Sequence, residues 1–264
     1  MRALIVGAGS MGSWFARLLL DRGWGVDLFD VSYERALKAS KNGGRAVKEP
    51  SFKYELALIA VPIRETPKAV MEHHERADVV VEISSVKSRV VSLVREKGFE
   101  NVLSIHPLFG PGLENPEEGK AVLIPIKDPE KELRVAKSLF PFKFLVRDVA
   151  SHDRAMAWLA VSHAVLNAFL ASTEGISESL DEMSTTTVRA LLTLAGASLT
   201  QSPSLTEELI KENPFYQEEF SRFLKELSHF SEDPASVINK VRRWKSLLNV
   251  ERCYKALYQM LREL

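Results

Sequence analysis

One imidazole, a pair of hydroxyls, a glycine turn and a carboxylate are the groups in this chain whose spacing could do chemistry. His106 lies in SIHPLFGPG (104–112), between an apolar, strand-like run and a turn fixed by Pro107, Gly110, Pro111 and Gly112. An imidazole with an ordinary pKa of about 6.5 can accept a proton near neutrality. Ser84 and Ser85 open SSVKS (84–88), at the end of another apolar run. GAGSMG (7–12) carries the G-x-G-x-x-G spacing. There Gly7 permits a tight turn, Gly9 lets backbone approach a pyrophosphate, and Gly12 allows a helix to pack closely on a strand. Backbone N–H groups at Ser10 and Met11, where that helix begins, would face the phosphates with the positive end of the helix dipole. The plain alternative is a structural glycine turn.

These groups need a scaffold that brings them to one edge. ALIV (3–6), VDLF (26–29), LALIAV (56–61), DVVVEI (78–83) and NVLSI (101–105) read as buried strands of a parallel sheet. SMGSWFARLLLDRG, SYERALKASKNG and SVKSRVVSLVREKG between them have helical periodicity and close on glycine. KAVLIPI and FKFLV read as two further strands flanking a helix at 130–139. Strands alternating with helices imply right-handed βαβ units, in which ligands bind beyond the carboxyl ends of the strands. His106, Ser84 and Ser85 are expected on that rim. A packed or surface histidine is the alternative for His106. Asp30 ends the second strand, where a carboxylate accepts from ribose hydroxyls and repels a 2′-phosphate, so NAD is favoured over NADP. Arg35 is near enough to soften that preference. Val61 and Pro62 of AVPI (60–63) end the next strand, on the nicotinamide side of the crevice; Pro62 could equally serve only to stop the strand.

From Ser151 onward no strand alternation is visible. Long amphipathic stretches beginning with HDRAMAWLAVSHAVLNAFLAST are broken at Pro203, Pro214 and Pro234. The expected fold is therefore an α/β Rossmann-type domain with a mainly parallel sheet over 1–149, followed by an all-helical domain over 150–264. Ser151 reads as the N-cap of the first long helix, which would make His152 a helix-start residue.

The 264 residues balance 35 Lys and Arg against 35 Asp and Glu, which suggests no nucleic-acid or membrane-surface partner. Cys253 is the one cysteine, so no internal disulfide can form and a reducing compartment is expected. Met1 and Arg2 lead straight into the first strand, leaving no room for a signal peptide. No apolar run is expected to reach the roughly 18 residues of a membrane helix. The reading is a soluble, cytoplasmic protein acting on a small molecule, with no metal-ligand spacing.

GAGSMG, AVPI, ISSVKS and HPLFGP, in this order, resemble the prephenate dehydrogenase family, whose members decarboxylate their substrate in tyrosine biosynthesis. The resemblance continues through SHDRAMAWLAVSH, LLTLAGASLTQSP and KVRRW. It implies NAD-dependent oxidative decarboxylation of prephenate to 4-hydroxyphenylpyruvate, with arogenate as the alternative substrate. It also implies that His106 contacts the substrate's ring hydroxyl, and that Ser85 bonds to that histidine or to the same hydroxyl. A homodimer through the helical half is implied as well. Moving hydride from the carbinol carbon to NAD⁺ builds a carbonyl and sheds the hydroxyl proton, which suits an imidazole acceptor.

The chain departs from the family pattern twice. Ala197 stands where an arginine would grip the side-chain carboxylate, and Arg189 upstream could take its place, as could a residue of a partner subunit. His163 is the candidate substrate contact on the long helix, one residue short of the family spacing from His152–Asp153, with a satisfied core histidine as the alternative. A hydroxyacid dehydrogenase would typically carry a lysine on this helix, yet none occurs between Lys143 and Lys211. A non-catalytic NAD sensor would need the crevice but not a proton acceptor. Val237, Val241, Trp244, Leu247 and Leu248, at helical spacing, read as a packed face.

Overall fold

The computed structural model describes residues 1–50 and 53–262. The chain divides into two compact units, Met1–Met156 and Ala157–Leu264. The division falls inside a helix, later than the expected boundary after residue 149.

The first unit is built on one sheet. Its elements run β1 (Arg2–Val6), α1 (Ser10–Asp21), β2 (Gly25–Phe29), α2 (Tyr33–Ser40), β3 (Arg45–Ala46), β4 (Tyr54–Ile59), α3 (Thr66–His73), β5 (Ala77–Glu82), α4 (Ser88–Lys97), β6 (Val102–Pro107), β7 (Lys120–Ile124), α5 (Pro129–Leu139) and β8 (Lys143–Val146). The strand order is β3-β2-β1-β4-β5-β6-β7-β8, parallel throughout except where β7 runs antiparallel to β6. All the expected strands are present. The two-residue β3 and the helix α3 were not anticipated: β3 is too short to carry a period, and α3 begins with a 3₁₀ turn at Ile63–Glu65 that blurs its start.

Both faces of the sheet are covered, which is why its strands read as continuous apolar runs. Ala3 and Ile5 of β1 face one core with Phe15 and Leu19 of α1, Ala36 of α2 and Ala136 of α5. Leu4 and Val6 face the other, with Val70 of α3 and Val90, Val91 and Val94 of α4. Chain order reverses between β1 and β4, with β2 and β3 on one side and β5 and β6 on the other. A reversal of this kind opens a crevice at the carboxyl ends of the two central strands, because the loops leaving them turn to opposite faces.

α6 (Val149–Ser172) starts in the first unit and continues into the second. Asp148, rather than Ser151, caps it: Asp148 Oδ1 accepts from the Ser151 N–H at 2.9 Å, and the Asp148 carbonyl accepts from the His152 N–H. With 24 residues and a mean hydropathy of 1.4 in its most apolar window, α6 is long and apolar enough to cross a membrane by length and composition. That corrects the expectation of no such run. Only 22% of that window is buried, and His152, Asp153 and His163 are the buried polar residues of the helix.

The second unit continues with α7 (Ser177–Glu182), α8 (Thr186–Ser198), α9 (Pro203–Glu212), α10 (Tyr216–Glu232), α11 (Pro234–Val241), α12 (Trp244–Leu247) and α13 (Val250–Arg262), and is helical throughout its described residues. The stripe expected to be packed is not buried within this chain: Val241, Trp244, Leu247 and Leu248 are all exposed.

Candidate active site

The glycine turn sits at the carboxyl end of β1. Gly7 has φ +97°, and a Cβ added there would lie 2.3 Å from the Ala60 carbonyl oxygen beyond β4. A side chain is thus excluded both by backbone conformation and by the neighbouring strand. A Cβ on Gly12 would lie 1.9 Å from the Gly7 carbonyl oxygen, which is the close helix-on-turn approach that its place in the motif demands. Gly9 differs: nothing lies within 4 Å of the corresponding point, and it is the N-cap of α1 with no side chain capping the helix. No acidic residue occupies the first turn either. Among the described residues no side chain caps the N–H groups of the first turn, and the dipole's positive end is left without a compensating carboxylate there.

Asp30 follows β2 and ties this turn together. Its Oδ2 accepts from the Ala8 N–H at 2.9 Å, and its Oδ1 accepts from the Ser32 N–H at 2.8 Å and from Arg35 Nε at 3.1 Å. Arg35 thus lies directly on Asp30. Val61 and Pro62 follow β4; Val61 is half-buried, while the Pro62 carbonyl accepts from the N–H groups of Glu65 and Thr66 and from the Thr66 hydroxyl. Pro62 lies three residues beyond the end of β4 and its carbonyl anchors the turn into α3.

At the carboxyl ends of β5 and β6 lies a buried polar cluster. Lys87 is wholly buried, its Nζ donating to Glu82 Oε1 at 2.6 Å and to the Ile105 carbonyl at 2.7 Å. Burial holds its ammonium below the ordinary lysine range, against the opposing pull of the Glu82 and Asp153 carboxylates. Glu82 also accepts from the Ser84 N–H and hydroxyl and from the Ser104 hydroxyl. Ser84 is committed here and to the Val86 carbonyl. Ser85, half-buried, makes no hydrogen bond among the described residues.

His106 stands inside β6, paired with Val122 of β7, instead of on the loop after it. It is 6% exposed, and burial, then the charges of Lys87 and His152, push its pKa well below the ordinary histidine value. Its Nδ1 lies 3.0 Å from His152 Nε2, with the two rings edge to face. Among the described residues His106 makes no bond to a serine. His152 Nδ1 in turn lies 2.8 Å from Asp153 Oδ1. Asp153 accepts from the N–H groups of Lys87 and Ser88 and from the Ser88 hydroxyl, capping α4, which lacks a side-chain cap of its own. Burial tends to raise the Asp153 pKa; the bonds from His152, Ser88 and the two backbone N–H groups outweigh it and leave the carboxyl below its usual range.

The sequence offered His152 only as a helix-start residue and gave no role to Asp153 or to Glu82. His152 meets His106 46 residues away and Asp153 meets the Lys87 N–H 66 residues away, contacts that carry no periodic signal, whereas Glu82 and Lys87 lie only five residues apart. In the second unit, His163 is buried on α6, with Nδ1 3.4 Å from the Thr206 hydroxyl of α9, and burial lowers its pKa. The core alternative thus has a visible partner. Arg189 and Ala197 are both exposed on α8.

A doubly wound sheet with a glycine turn at its chain reversal and an open helix N-terminus defines a nucleotide-binding domain of the Rossmann type. Residues 15–140, a little under half of the chain, match the sequence model of the prephenate dehydrogenase nucleotide-binding domain. A curated relative, the probable arogenate/prephenate dehydrogenase of Methanocaldococcus jannaschii, is 23% identical over 249 residues, covering 87% of this chain and 56% of the relative. The chain thus spans little more than half of that protein. Among solved structures, prephenate dehydrogenase of Aquifex aeolicus, in complex with hydroxyphenyl propionate and NAD⁺, superposes with TM-score 0.73 at 20% identity, over 96% of this chain and 98% of that one. Synechocystis arogenate dehydrogenase superposes with TM-score 0.68 at 18% identity, over 97% and 100%. At such identities the two structures speak for the fold: a Rossmann-type domain followed by helices.

Proposed function

We propose that the protein is an NAD-dependent dehydrogenase that converts prephenate to 4-hydroxyphenylpyruvate by oxidative decarboxylation. The observation that carries this reading is a buried imidazole, His106, at the carboxyl rim of a nucleotide-binding sheet, with Nδ1 engaged and Nε2 making no hydrogen bond among the described residues. Bound NAD⁺ supplies the hydride acceptor. Gly7, Gly9 and Gly12, with the N–H groups at Ser10 and Met11, hold the pyrophosphate; Asp30 takes the ribose hydroxyls; Val61, Pro62 and Ser84 border the nicotinamide side. His106 takes the ring-hydroxyl proton at Nε2 as the carbonyl forms, and Ser85, whose hydroxyl makes no hydrogen bond among the described residues, steadies the same hydroxyl. Loss of the ring carboxylate as CO₂ follows, drawn by formation of an aromatic ring.

Arogenate, which carries an amino group in place of the keto group, is the second reading, supported by the double name of the M. jannaschii relative. The exposed Leu224, Leu227, Phe230, Ile238, Trp244 and Tyr254 of α10–α13 support a homodimer through the helical unit. The single cysteine favours a reducing cytoplasm. Turnover tests the whole reading: NADH absorbance is followed with prephenate or arogenate and NAD⁺. A product with one of them is expected; tight NAD⁺ binding with no NADH from either would leave a nucleotide sensor.

A further inference from the structure

Three side chains from two distant segments form a chain of nitrogen and oxygen atoms: Asp153 Oδ1, His152 Nδ1 and Nε2, then His106 Nδ1, at 2.8 and 3.0 Å. All three residues are buried. The hydrogens along this chain can be assigned from donors that cannot turn round. Asp153 faces the backbone N–H groups of Lys87 at 2.9 Å and Ser88 at 2.8 Å, which can only donate. It therefore acts as an acceptor on both oxygens, and a carboxylate is acceptor-only when ionised. His152 Nδ1 must then carry the hydrogen in its bond to Asp153. A neutral His152 so protonated has a bare Nε2, and the facing His106 Nδ1 must donate to it. Neutral His106 has one hydrogen to place. Placing it on Nδ1 leaves Nε2 with a lone pair.

We propose that His152 and Asp153 are positioning residues that fix His106 in its Nδ1–H tautomer, so that Nε2 is held ready to accept the substrate's hydroxyl proton. The proposal rests on the dehydrogenase reading above and adds to it the device that prepares the base. The other tautomer would present an N–H to that hydroxyl and could not take its proton. When Nε2 does take the proton, the ring gains a positive charge close to the Lys87 ammonium. The Asp153 charge, one imidazole away, offsets that repulsion. Lys87 secures the same arrangement from the other side, since its Nζ holds the Ile105 carbonyl next to His106 in the chain.

The test is the tautomer itself, read in the full chain without substrate by two-bond ¹H–¹⁵N correlation of labelled histidines. His106 is expected as the Nδ1–H form; an Nε2–H form in the unaltered protein overturns the proposal. Asp153→Asn puts an amide N–H against His152 Nδ1 and should reverse the chain, moving His106 to Nε2–H. The kcat with prephenate should fall by about 10²–10⁴-fold while KM for NAD⁺ stays within about twofold. A folded Asp153→Asn protein that keeps the Nδ1–H form sinks the idea. Should that variant not fold, His152→Phe removes the acceptor and keeps a ring in place; His106 should then show both tautomers and lose kcat at least about tenfold, and an unchanged tautomer and kcat would count against the relay. Ser88→Ala deletes one bond to Asp153 without breaking the chain. It should cost stability yet leave the tautomer unchanged, whereas a flip there would reduce the effect to general loosening. Because the spectrum needs no turnover, it decides the relay even if prephenate and arogenate both prove inert.

Discussion

Lys87→Met removes the cation of a wholly buried pair and leaves the Glu82 carboxylate in the core with the Ser84 N–H, the Ser84 hydroxyl and the Ser104 hydroxyl as donors. Methionine fills much of the lysine's volume, so the loss is electrostatic more than steric. Removing one partner of a buried pair costs about 3–5 kcal/mol. The structure sets an upper limit on the carboxylate's part of that. A buried carboxylate can take up a proton instead, so its penalty cannot exceed about 1.36 kcal/mol for each pH unit above the ordinary glutamate value of about 4.3. The limit is about 3.7 kcal/mol at pH 7 and about 1 kcal/mol at pH 5. Losing the bond to the Ile105 carbonyl adds about 1 kcal/mol at either pH. The sign follows: a carboxyl whose folded pKa is raised loses stability as pH rises, so the variant should be hurt more at pH 7 than at pH 5. Urea unfolding followed by far-ultraviolet circular dichroism measures both. With a slope of about 3 kcal/mol per molar, the midpoint should drop by about 1–1.5 M at pH 7 and by well under 1 M at pH 5. Equal losses at the two pH values, or a loss below about 1 kcal/mol at pH 7, would refute a charged pair sealed from water. Lys87→Met with Glu82→Gln should recover part of the loss, and strict additivity of the two changes would say the same.

His106→Asn should lower kcat by about 10²–10⁴-fold with NAD⁺ binding, measured by calorimetry, retained; an unchanged kcat removes His106 from the chemistry. Because burial, Lys87 and His152 depress the His106 pKa, and a base works only when unprotonated, kcat/KM should hold its plateau on the acid side to below pH 6.5. An acid limb centred above pH 6.5 would contradict the burial of the ring. Gly9→Ala enters open space and should leave the thermal midpoint of the ligand-free protein nearly unchanged while weakening NAD⁺. Gly12→Ala drives a Cβ onto the Gly7 carbonyl and should lower that midpoint by several degrees. If the two variants melt alike, the turn is not packed as described. Asp30→Ala should weaken NAD⁺ more than NADP⁺, and equal losses would detach Asp30 from the ribose.

The amino-acid sequence by itself determined the sheet, the doubly wound class and the glycine turn. Runs such as ALIV and LALIAV have to be buried on both faces, and three glycines at fixed spacing between a strand and a helix leave few other backbones. It also put His106 near the rim, since position along a strand decides position along the sheet. The tertiary structure decided what His106 faces, that Asp148 caps α6, that Glu82 and Lys87 form one buried pair, and that the stripe ending at Leu248 is not covered within this chain. Strand and helix signals are local and repeat with a period, so they survive in one dimension. The bond between His106 and His152 joins residues far apart in the chain and exists only because α6 returns to the sheet, a contact to which no period points.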